Sequence, residues 1–76
     1  MNPPLTKNNR TRLIRARRRK RLSQKKAADR FGISVVHLCR LELGRCGASE
    51  ETLRVICRKL GLEYIVIFKE AWRKIK

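Results

Sequence analysis

The 76-residue sequence predicts an all-α domain of four to five short helices. Three observations predict it. Residues 24–43, QKKAADRFGISVVHLCRLEL, hold two helix-forming runs split by one glycine, too close together to be independent helices. Ser23, Ser34 and Ser49 each stand just before such a run, where a hydroxyl can accept a hydrogen bond from an orphan backbone N–H. Gly32, Gly44 and Gly61 stand where the runs stop.

The chain opens on Pro3, Pro4, Asn8 and Asn9 with no apolar period, so residues 1–12 read as a flexible basic arm. Lys7, Arg10 and Arg12 would then be free to follow a phosphate backbone or enter a minor groove, and a tail that contacts nothing is the plain alternative. The first helix is predicted over Thr11–Arg21, with Leu13 and Ile14 as its apolar contribution. Six cations from Arg15 to Arg21 go round most of it, so it has to be held by the rest of a domain spanning 13–62.

Ser23 caps the second helix, and Ala27 and Ala28 keep it slim. Gly32 supplies the left-handed backbone that ends it without a β-carbon clash. In the third helix Leu38 and Leu41 share one face and can pack back onto the second, while Val35, Val36, Cys39 and Arg40 fall on the outward side. Two short helices at a glycine corner, the second with a free outer face, describe a helix-turn-helix.

Ser49 caps a fourth helix whose first turn carries Glu50 and Glu51, which favour the positive end of its dipole. Leu53, Ile56, Cys57 and Leu60 repeat at i, i+3, i+4, i+7, making this face core and Cys57 a small buried hydrophobe. Residues 63–76 read two ways. As a strand, Tyr64, Ile65, Val66, Ile67 and Phe68 are apolar on both faces and need a partner edge, which a homodimer supplies by pairing β-strands across its axis. As a fifth helix, Tyr64, Ile65, Phe68, Trp72 and Ile75 form one stripe closing a monomer core. Strand pairing is the preferred reading.

Charge narrows the partners. The net charge is +15, and residues 1–30 hold twelve basic residues against one acid, Asp29. A polyanion fits, because neutralised phosphates release condensed counterions. The cysteines, Cys39, Cys46 and Cys57, are odd in number and unpaired in spacing, and no secretory pattern precedes them, so a cytoplasmic setting is expected. The longest apolar run, Tyr64–Phe68, is too short to span a bilayer. One histidine and no nucleophile beside a base argue against an enzyme. His37 with the cysteines matches no zinc-ligand spacing, so neither metal nor cofactor is expected.

In order along the chain stand LSQ at 22–24, Ala28, Gly32-Ile33-Ser34, Leu38, Leu41-Glu42, Gly44 and SEETL at 49–53. The set resembles the lambda repressor-like family of bacterial and phage regulators, over roughly 13–62. The resemblance implies duplex DNA as partner, with Ser34–Leu43 in the major groove and the preceding helix across the backbone. Gln24 and Lys25 would meet phosphate at that helix's N-terminus. Val35 and Val36 suit thymine methyls, Arg40 can pair with guanine, and Ser34, His37 and Arg45 flank them. Many relatives carry Gln or Ser where this chain has Val35 and Val36, so their target sequences do not transfer, and the family's frequent proline is here Ala48. Resemblance also implies an ion pair of Arg17 with Glu42, partly buried and structural.

The expected function is a dimeric transcriptional regulator, a repressor by occupying a promoter. Two alternatives stay open. One is an antitoxin that adds a toxin-binding surface to the same module, since some antitoxin-like relatives resemble the apolar ending. The other is an RNA-binding protein using the arginine-rich first helix, RARRRKR.

Overall fold

The computed structural model describes residues 3–62. The predicted dimerising segment, Tyr64–Phe68, and the remainder of 63–76 lie outside the described residues. Four helices follow in order: α1 (Lys7–Arg19), α2 (Gln24–Phe31), α3 (Val35–Leu43) and α4 (Glu50–Leu60).

α1 starts earlier than the sequence predicts. Lys7–Arg12, read above as part of an arm, form its first half. Thr6 is the reason: its Oγ1 accepts from the Asn9 N–H at 3.2 Å, satisfying a donor the first turn cannot. Leu5 and Asn9 are buried, so this end is packed down rather than free. The helix stops at Lys20, and Arg21 turns the chain through the left-handed region at φ 56°, one residue short of Leu22 and the second helix.

The other three helices begin alike. Ser23, Ser34 and Ser49 hydroxyls accept from the N–H of Lys26, His37 and Thr52 at 3.1, 3.0 and 3.2 Å. Each of these helices then ends on a glycine in the left-handed conformation. Local chemistry thus sets both ends of α2, α3 and α4, and packing sets their arrangement.

α3 lies against both α1 and α2, and α4 against α2. The core between them is built from Leu13 and Ala16 of α1, Ala27, Ala28 and Phe31 of α2, Leu38 and Leu41 of α3, and Leu53, Ile56, Cys57 and Leu60 of α4. Ala27 and Ala28, both fully covered, let α3 and α4 approach α2 closely. Each fully buried leucine or isoleucine contributes roughly 1.5–3 kcal/mol. Leu5, Leu22 and Ala48 seal the margins from the connecting segments. Among the described residues no helix is long and apolar enough to cross a membrane.

Candidate nucleic-acid interface

α3 has two faces of opposite character. Leu38, Leu41 and Glu42 are buried, whereas Val35, Val36 and Leu43 are 41%, 54% and 60% exposed. Arg40 is exposed as well. At about 100° per residue, Val35, Cys39, Leu43, Val36 and Arg40 fall within one arc of roughly 140°. This outward arc carries methyl groups, one half-buried thiol and one guanidinium. Leu43 belongs to it and was not anticipated. The available signal was its i, i+7 relation to Val36 and its i, i+4 relation to Cys39.

The inward side is fastened by a polar cluster. Arg17 donates from Nε to Glu42 Oε2 at 2.7 Å, from Nη2 to Glu42 Oε1 at 3.2 Å and from Nη1 to the Leu22 carbonyl at 2.8 Å. Both side chains are nearly covered, with 8% of each residue exposed. One guanidinium therefore joins α1, the α1–α2 turn and the end of α3. The fork geometry matches a carboxylate, which a lysine could not do.

Gln24 belongs to this cluster too. Its Nε2 donates to Glu42 Oε1 at 3.0 Å, and its Oε1 accepts from the Cys39 thiol at 3.1 Å. Both ends of the amide are occupied within the protein, so the structure turns Gln24 toward α3 where the sequence suggested a free phosphate ligand. Its neighbour Lys25 is exposed at the start of α2.

Arg10 is placed differently from the expectation for an arm. Its Nη1 donates to the Leu43 carbonyl at 2.9 Å, one of the last carbonyls of α3 with no partner in the helix itself. Its Nε is buried and has no hydrogen-bond partner among the described residues. The guanidinium lies against Gly44, where an added Cβ would come within 2.7 Å of Cζ. Arg12, by contrast, is exposed on α1.

The flanking residues divide. Ser34 is exposed, with its hydroxyl used as the α3 cap. His37 is half-buried, its Nε2 3.4 Å from the Gly47 carbonyl, and so borders the outward arc on the loop side. Arg45 is exposed in the α3–α4 loop, and its N–H closes α3 on the Arg40 carbonyl at 2.9 Å. Cys46 packs partly against the core. Among the described residues no group of three or more His, Cys, Asp or Glu could hold a metal ion.

The geometry is that of a helix fixed on one face and open on the other, and comparison with known proteins agrees. Residues 10–63 match the helix-turn-helix domain family. This chain belongs to it. As a member it carries a DNA-binding module of the kind used in transcription regulation. No curated protein matches the chain. Among solved structures it is similar to the clp gene regulator ClgR from C. glutamicum, at 27% identity and a TM-score of 0.71. That likeness covers 99% of this chain and 97% of the other.

Proposed function

We propose that this helix-turn-helix protein is a sequence-specific regulator that lays α3 in the major groove of duplex DNA. It acts as a dimeric repressor, occupying a promoter rather than carrying out chemistry. The observation that carries this reading is the outward arc of α3, with Val35, Val36 and Leu43 left in water on a helix whose other side is clamped by Arg17 and Glu42. Exposed aliphatic groups on a short, rigid helix have a use if they meet thymine methyls, and Arg40 beside them offers a bidentate donor to guanine O6 and N7. Lys25, Arg45 and the open N-terminus of α2 would take phosphates. Likeness to ClgR, described as a gene regulator, supports regulation as the outcome. The dimer rests on the apolar sequence Tyr64–Phe68.

Selection of bound sequences from random duplex DNA tests it. The expected product is a palindrome whose half-sites stand about one helical turn, roughly 34–36 Å, apart. Enrichment of no sequence, or of a single unpaired half-site, would remove sequence reading or the dimer respectively.

A further inference from the structure

The outer face of α1 carries charge that the α3 interface leaves unused. Lys7, Arg12, Arg15, Arg18 and Arg19 are exposed, and α1 contains no carboxylate to pair with them. The first acid in the chain is Asp29. Like charges at i, i+3 and i, i+4, as in Arg15 with Arg18 and Arg19, cost a helix about 0.2–0.5 kcal/mol each. The face therefore carries a repulsion that a bound polyanion would relieve.

Its direction is the second observation. Arg10 and Arg17 mark the side of α1 that faces α3, through their bonds to the Leu43 carbonyl and Glu42. At about 100° per residue, the centre of the cationic arc lies roughly 140° round the helix from that side. The cationic arc therefore points away from the side on which α1 meets α3.

The arrangement within the arc is the third. Lys7 and Arg18 form one row, Arg12 and Arg19 another roughly 120° away, and Arg15 runs between them. Such a spread suits a concave partner with phosphates on two walls. A helix with its side chains is about 10–12 Å across, and the B-form major groove is about 12 Å wide. The major groove of A-form RNA is too narrow for the same seating.

We propose that the outer face of α1 is a second duplex-binding surface, which takes a further segment of DNA without regard to sequence while α3 holds its own site. The protein would then bridge two segments of DNA. This goes beyond the reading of α3 and rests on it only for the first segment.

The test uses the full chain on an immobilised 20-base-pair duplex carrying the selected site, with a labelled 60-base-pair duplex of unrelated sequence added afterwards. Wild type should retain the labelled duplex. The threefold variant R15Q/R18Q/R19Q should lose about tenfold or more of that capture, with the salt slope of capture reduced by about 2–3. Its affinity for the immobilised duplex should change less than about threefold, because its α3 is untouched. Replacing the same three arginines by lysine should retain capture, since phosphate needs only the charge. No capture by wild type, or an equal loss on both duplexes, would overturn the second surface. So would displacement of the labelled duplex by an RNA hairpin at far lower concentration, which would assign the face to RNA. Failure of the α3 reading looks different: the immobilised site would be bound no better than its scrambled version.

Discussion

Arg17 on α1 and Glu42 on α3 meet through two parallel hydrogen bonds of 2.7 and 3.2 Å in a nearly dry setting. The third guanidinium contact, to the Leu22 carbonyl, means that losing Arg17 releases the α1–α2 turn as well as α3. Glu42 in turn is the acceptor that orients Gln24. The outward face of α3 is therefore held from behind, by a pair buried on its inner side.

Removing one partner strands a buried charge, so Arg17→Met or Glu42→Leu alone should cost about 3–5 kcal/mol. The double variant should be less damaged than the sum of the two, because no lone charge remains. Urea unfolding of the four proteins gives the coupling. Strict additivity would show that the two side chains do not act as a pair in solution.

Ser34 has a cap to make before it has any DNA to touch. Ser34→Ala should lose about 1 kcal/mol of stability with the α3 N-terminus unsatisfied. Ser34→Asp keeps an acceptor for the His37 N–H, so stability should hold while a carboxylate beside phosphate weakens DNA binding. Thermal melts paired with a binding titration separate these. Unchanged affinity in Ser34→Asp would place Ser34 away from the backbone.

Gly44 and Gly61 share the left-handed conformation, at φ 74° and 72°, yet among the described residues only Gly44 has a neighbour against it. Alanine at either site incurs the left-handed penalty of about 1–2 kcal/mol. Gly44→Ala should cost more, by displacing the Arg10 guanidinium from the Leu43 carbonyl. In an Arg10→Ala background that excess should vanish. If Gly44→Ala and Gly61→Ala prove equal in denaturant, the Arg10 contact has no energetic weight.

Much of this was readable because it is local. A serine before each of α2, α3 and α4 and a glycine after each are decided within a few residues of chain, and the apolar stripe of α4 marked its buried face. What was not readable depended on distant partners. Thr6 is a cap only because Leu5 and Asn9 find cover, so Pro3, Pro4 and a charged run looked like an arm. Gln24 sits at a helix N-terminus, where phosphate is the local expectation, but Glu42 and Cys39 from α3 occupy both ends of its amide. Leu43, not singled out on the outward side from the sequence, is exposed. In each of these cases the deciding contact, or its absence, lies far along the sequence.

The three thiols should separate by reactivity. Burial pushes Cys57 up from an ordinary value of 9.0 to about 12, while Cys39 and Cys46 are partly exposed. At pH 8 a soluble thiol reagent should modify Cys39 and Cys46 quickly and Cys57 only as fast as the domain opens. The linkage follows the same sign. An unfolded chain gives up this proton near 9.0 and the folded one holds it to about 12, so stability is full below that window and falls through it. Rapid labelling of all three thiols would place Cys57 outside the core.

The most direct test of sequence reading by α3 is Arg40→Ala, measured for affinity on the selected site and on each of its single-base-pair variants. If Arg40 pairs with guanine, the variant should lose about 1–3 kcal/mol on the parent site and lose its preference at one base pair per half-site, with other positions unchanged. A loss of the same size on every duplex would contradict this. Arg40 would then hold phosphate, and the outward arc of α3 would not be reading base edges through it.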